Sequence, residues 1–141
     1  MSYKNEMMLQ FTSLIENEGF ARLAVASFCA HLALNIEDIN DIKTAVSEAV
    51  TNAIVHGYCE TEGLISISVK ISNEQITIIV SDNGVGIPDI HKAIQPFYTT
   101  KADMERSGMG FTVMEGFMDE MNVSSKVGDG TTVTLIKYIK K

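Results

Sequence analysis

Three short stretches of this sequence carry residue types that could do chemistry. Glu48-Ala49-Val50-Thr51-Asn52 puts a carboxylate and a carboxamide one helical turn apart. Asp82-Asn83-Gly84-Val85-Gly86 puts an acid ahead of two glycines at the end of an apolar run. Arg106-Ser107-Gly108-Met109-Gly110 puts two glycines at the start of a helical pattern. A carboxamide oxygen suits Mg²⁺, which prefers oxygen ligands and keeps several waters. A carboxylate one turn away could take a proton from an attacking hydroxyl. The acid at Asp82 could accept from an exocyclic amine such as that of adenine, and glycines beside it let the backbone approach a flat ligand closely. Backbone amides at a helix N-terminus suit phosphates, and Lys101 and Arg106 add positive charge nearby. In this order the three stretches describe a pocket for a magnesium nucleotide.

Each stretch also has a plainer reading. Glu48, Asn52 and His56 follow one another at i, i+4 and i+8, and such a row can be a solvated helix flank. Asp-Asn-Gly is a common turn. Here, though, the residues after it do not read as a partner strand, so a hairpin is not expected. Gly108 and Gly110 fit a flexible loop as well as a phosphate cradle. They do not form a P-loop, because no Lys-Ser or Lys-Thr follows. No strand, glycine loop and helix with a later acid fits a dinucleotide fingerprint either.

The elements that must position these residues are legible from periodicity. Met7 to Thr12 reads as a short strand with Met7, Leu9 and Phe11 on one face. Asn17 is the expected cap of a first helix, whose apolar stripe is Phe20, Leu23, Ala24, Ser27, Phe28 and His31, widened by Val25 and Leu32. A second helix begins near Glu37 or Asp38. Its stripe is Ile39, Ile42, Val46, Ala49, Val50 and Ala53, and Gly57 is placed to end it. Glu48, Asn52 and His56 flank that stripe, at the border of the core. Ile65, Ile67, Val69 and Ile71 alternate with polar residues as in a half-buried strand. After a turn at Asn73-Glu74, Ile76 to Ser81 is apolar at nearly every position, as a central strand would be.

Residues 83–110 hold four of the ten glycines and both prolines, with no sustained period. Irregular segments of this length are usually functional. Phe111, Met114, Phe117 and Met118 then form a third helix face. Met121 to Val127 and Thr131 to Tyr138 close the chain as two strands about Val127-Gly128-Asp129-Gly130. Strand and helix do not alternate regularly, so the expected class is α+β. The architecture is a two-layer sandwich, a mixed and mostly antiparallel sheet with helices on one face.

A chain of 141 residues, 45% hydrophobic and 21% charged, fits one domain with a proper core. A formal net charge of −7 argues against nucleic acid as the main partner. No apolar run is long enough to span a bilayer and no signal peptide is evident, so no membrane partner and a cytoplasmic site are expected. Cys29 and Cys59 have no metal-like spacing and are expected as free thiols. His31, His56 and His91 are expected to be structural or solvated, and the eight methionines to be core filler.

The three stretches resemble the N, G1 and G2 boxes of the ATPase/kinase superfamily that includes gyrase, Hsp90, histidine kinases and MutL. Gly130-Thr131-Thr132 resembles its closing Gly-Thr block. Nearly the whole chain is similar to one branch, the anti-sigma factors with serine kinase activity. Ser47 to Ala53, Pro96-Phe97-Tyr98-Thr99-Thr100-Lys101, Glu105 to Phe111 and Asn17-Glu18-Gly19-Phe20-Ala21-Arg22 carry that similarity. It departs at Tyr98, where the branch reads Pro-Leu-Phe-Thr-Thr-Lys, and at Asn83, where an acid is common.

The resemblance implies a single histidine-kinase-like ATP-binding domain over residues 1–141. It implies a homodimer that holds a sporulation sigma factor and phosphorylates a serine of an anti-anti-sigma protein with MgATP, releasing ADP. Glu48 would be the general base and Asn52 the magnesium ligand. Asp82 and Thr131 would bind adenine. Gly86, Lys101, Arg106, Gly108 and Gly110 would line the lid and phosphates, and Gly84, Thr100 and Met109 would also bind the nucleotide. The composition of the irregular segment further predicts that nucleotide would order residues 87–109. Arg22 is the candidate partner contact. Alternatives are a general-stress anti-sigma kinase, a nucleotide-gated sigma-binding module without transfer, and a histidine-kinase catalytic domain. The chain is too short to hold the phosphoacceptor helices of the last.

Overall fold

The computed structural model describes residues 4–32, 34–59, 61–94 and 110–139. Five strands form one sheet: β1 (Asn5–Thr12), β2 (Leu64–Ile71), β3 (Gln75–Asp82), β4 (Glu120–Lys126) and β5 (Gly130–Tyr138). Their spatial order is β1-β2-β3-β5-β4. All four pairings are antiparallel, so the sheet expected to be mixed is wholly antiparallel. β3 is central, which explains its near-continuous apolar run. Alternation on β2 sends Ile65, Ile67, Val69 and Ile71 into the core, all at 1% exposure or less.

The helices are α1 (Glu18–Cys29), α2 (Ile36–Asn52), α3 (Ile90–Ile94) and α4 (Gly110–Phe117). Residues of α1, α2 and α4 join those of the strands in one buried cluster. α3 was not legible, because five residues are too few to show a period.

The first helix buries a different face from the one its large side chains suggested. Ala21, Val25, Ala26 and Cys29 are buried, whereas Phe20 and Leu23 are 58% and 56% exposed. His31 lies beyond the helix end and is also exposed, its ring edge-on to Phe28 at 6.4 Å. Small residues let α1 approach α2 closely; Phe20 or Leu23 on that face would hold the helices apart. Phe117 is likewise 42% exposed, while Met114 and Met118 fill the core.

Helix entry differs too. Asn17 has ψ −7° and makes no capping bond, since a capping residue needs extended backbone. Its Nδ2 donates instead to the Thr12 carbonyl at 2.9 Å, and a 3₁₀ turn over Ile15–Asn17 leads into α1. Asn35 is the working cap: extended, at ψ 171°, its Oδ1 accepts from the Asp38 amide at 2.7 Å.

α2 does not stop at a left-handed Gly57. It passes into one π-helical turn, Ala53–Gly57, closed by the Tyr58 amide on the Ala53 carbonyl at 3.0 Å. The left-handed residue is Cys59, at φ 52°. π turns insert one extra residue and recur at functional sites.

At the opposite end of α2, Lys137 is buried and gathers three groups. Its Nζ donates to the Phe117 carbonyl at 2.7 Å and to Asp41 at 3.3 Å, with Asp38 at 3.9 Å. One ammonium therefore fixes the start of α2 against the end of α4. Replacing Lys137 with Met should lower unfolding free energy by about 1–3 kcal/mol, read as a lower urea midpoint. An unchanged midpoint would show that the clamp contributes nothing to stability.

Candidate nucleotide site

Asp82 is the last residue of β3 and pairs in register with Thr131, near the start of β5. Only 8% of Asp82 is exposed. Its Oδ1 accepts from the Gly84 amide at 2.9 Å. Burial pushes its carboxyl above the ordinary carboxylate range, opposed in part by the backbone hydrogen bonds from Gly84 and Thr131.

The π turn brings Gly57 against this carboxylate. A Cβ on Gly57 would lie 3.0 Å from the Asp82 carboxyl atoms, and one on Gly84 would lie 2.0 Å from the Gly57 carbonyl oxygen. The chains meet backbone to backbone, with the Val85 amide on the Gly57 carbonyl at 2.8 Å. Tyr58 adds a clasp: its hydroxyl accepts from the Asn83 amide at 2.9 Å and donates to the Leu64 carbonyl at 2.5 Å. Gly57 and Tyr58 carry no local sequence signal of a site, because what crowds them lies about 25 positions away in sequence.

The first and third stretches meet as closely. A Cβ on Gly110 would lie 2.9 Å from Asn52 Nδ2, 3.1 Å from Asn52 Oδ1 and 3.3 Å from Glu48 Oε2. Gly110 opens α4, so that helix's N-terminus faces the polar row of α2.

Between these two contacts lies a cavity of about 340 Å³, within the range of small-molecule sites. Asn52, Asp82, Gly86, Gly110 and Thr131 all line it, with His56 and Cys59. Ala49, Ala53, Val80, Phe111 and Val133 supply apolar wall, suited to a flat ring. Glu48 borders it through Gly110. Gly84 stays outside the lining, at the contact with Gly57. Thr100, Lys101, Arg106, Gly108 and Met109 lie outside the described residues. Arg22 is on α1, away from the cavity lining, with its Nη1 3.7 Å from Glu18 Oε2.

The cavity thus has at one end a buried carboxylate, a group able to accept from an amine. At the other it has a carboxamide and a helix N-terminus, with the Glu48 carboxylate just behind Gly110. Those are the groups that a purine nucleotide with its cation needs.

Residues 11–137 match the histidine kinase-like ATPase domain. The chain belongs to that family. Within it, the chain belongs with the anti-sigma F factors. It is 56% identical to the anti-sigma F factor of Geobacillus kaustophilus, over 98% of this chain and 95% of that one. It is 57% identical to that of Thermoanaerobacter pseudethanolicus, over 99% and 97%. With that of Clostridium beijerinckii it shares 54%, over 94% of each. Among solved structures it superposes on the RsbU and RsbW domains of Rv1364c from Mycobacterium tuberculosis with a TM-score of 0.67. That match covers 95% of this chain and 32% of the other at 21% identity, and it speaks for the fold. Among the described residues, no helix is long and apolar enough to cross a membrane.

The raised Asp82 carboxyl has a consequence for stability. The folded state binds this proton more tightly than the unfolded state, so stability falls as pH rises through the window above 3.8. Asp82→Asn keeps an oxygen for the Gly84 amide and removes the buried charge. It should leave the melting temperature at pH 7 unchanged or higher. A lower melting temperature at pH 7 would show that the buried charge costs the fold nothing.

Proposed function

We propose that the protein binds and inhibits a sporulation sigma factor and phosphorylates a serine of an anti-anti-sigma protein with MgATP. In this reading it acts as a homodimer in the cytoplasm, a single nucleotide-binding domain. The convergence of Glu48 and Asn52 on Gly110, in a cavity whose far end is Asp82, carries the kinase part. The names of the relatives support the sigma-factor part and favour the sporulation factor over a general-stress one.

The residue roles follow from chemistry. Asp82 and Thr131 hold the base, and the apolar walls exclude water from its faces. Asn52 would offer its oxygen to Mg²⁺ beside the phosphates, with Gly110 allowing close approach and the N-terminus of α4 offsetting their charge. Lys101 and Arg106, with Thr100, Gly108 and Met109, are proposed to complete the phosphate end. MgATP supplies the transferable phosphoryl group and leaves as ADP. Glu48 takes the proton of the acceptor serine as its oxygen bonds to phosphorus, and the rest of the work is positioning and charge neutralisation. A pure sigma-binding module has no need of a carboxylate at this place. Arg22, one turn from Glu18 on α1, is the proposed partner contact.

Two measurements check this. MgATP should slow alkylation of Cys59, which lines the cavity. Cys29 should stay inert, being buried with its thiol pushed up to about 11. Equal Cys59 labelling with and without saturating MgATP would place the nucleotide elsewhere. Glu48→Gln should lower serine phosphorylation by about 10²-fold or more with ATP affinity unchanged. Undiminished phosphorylation would remove Glu48 from the role of base.

A further inference from the structure

Asp82, Thr131 and Ser125 form one row across β3, β5 and β4. Ser125 Oγ meets three polar groups. It accepts from the Ile87 amide at 2.7 Å, donates to the Gly130 carbonyl at 3.0 Å and lies 2.8 Å from Thr131 Oγ1.

A serine hydroxyl has one proton and two lone pairs. The Ile87 amide can only donate, so it occupies one lone pair. The Gly130 carbonyl can only accept, so it takes the proton. What remains for Thr131 is a lone pair, which makes Thr131 the donor in their contact. Sending the Ser125 proton to Thr131 would leave two oxygens 3.0 Å apart with no hydrogen between them. The Thr131 proton therefore points at Ser125, and its hydroxyl offers the cavity only lone pairs. Asp82, opposite it in register and lining the same cavity, is also an acceptor when ionised.

We infer that Ser125, by holding the Thr131 proton, makes the base end of the cavity a pair of acceptors, Asp82 and Thr131, and so selects 6-amino over 6-oxo purine nucleotides. This rests on the nucleotide reading above. An exocyclic amine brings two N–H groups to two acceptors. In the same position an oxo group would set an acceptor against both, and its neighbouring N1–H could reach them only if the ring shifted out of place, which is how polar sites discriminate. Ser125 is a positioning residue here, acting through Thr131.

Calorimetric titration with ATP and with ITP tests the inference. The unsubstituted protein should prefer ATP. Ser125→Ala frees the Thr131 proton to donate to the oxo group, and the ATP-over-ITP preference should narrow by about tenfold. Ser125→Thr keeps the hydroxyl and should keep the preference, which a merely structural role for the side chain would not predict. Should the alanine variant fail to fold, Ser125→Cys, a weak donor and acceptor at the same place, carries the same expectation. A full preference retained in the alanine or cysteine variant overturns the proposal, as does equal binding of ATP and ITP by the unsubstituted protein. Binding of neither by the unsubstituted protein overturns the nucleotide reading itself.

Discussion

The site depends on one contact, the approach of the Gly57 backbone to the Asp82–Gly84 turn. The two segments come from opposite layers, the end of the long helix and the end of the central strand. They meet with no side chain between them. The carbonyl of Gly57 accepts from Val85, and the Asp82 carboxylate sits where a Cβ of residue 57 would crowd it. Spread these apart and Asp82 gains water, the Tyr58 clasp on Asn83 opens, and one end of the cavity loses its shape. The π turn at Ala53–Gly57 makes the approach possible, because one extra residue re-aims the helix end without ending it.

The rest of the molecule holds that contact in register. β2, β3 and β5 fix Asp82 opposite Thr131 through an antiparallel ladder in which a one-residue slip would expose the whole core face. The buried core under α2 locks the height of Glu48 and Asn52 over the sheet. At the far end, Lys137 ties the start of α2 to the end of α4. The two ends of α2 are therefore held by different forces: backbone contact at the Gly57 end and a buried ammonium at the other. The Gly57 end carries a cost, because the Asp82 carboxylate is buried there away from water, a pattern more common at functional positions than at structural ones.

Much of the fold was legible because its periodicities are strong. The alternation of Ile65 to Ile71 and the apolar run of Ile76 to Ser81 name a half-buried strand and a central one, and the stripe on α2 matches its buried face. The buried face of α1 is not legible from hydrophobicity, which weights Phe20 and Leu23 above Ala21 and Ala26, while helix packing at close range favours the small side chains. Asn17 looked like a cap by type, but capping is a matter of backbone angle, which Asn35 has and Asn17 lacks.

By itself, the sequence determined the chemical inventory: a carboxylate and carboxamide one turn apart, an acid at a strand end, glycines ahead of a helix, and a resemblance that tied them to one family. Those are local facts, set by residue type and by spacings of a few positions. Only the tertiary structure decided that Gly57 is needed for space and not for a left-handed turn. It alone set Gly110 against Asn52 and Glu48, and Ser125 against the hydroxyl of Thr131. Each of these pairs a residue with atoms on another element, and the hydrogen-bond polarity at Thr131 depends on a proton count over three separate segments. No periodicity carries such a count, because it exists only once the sheet has closed.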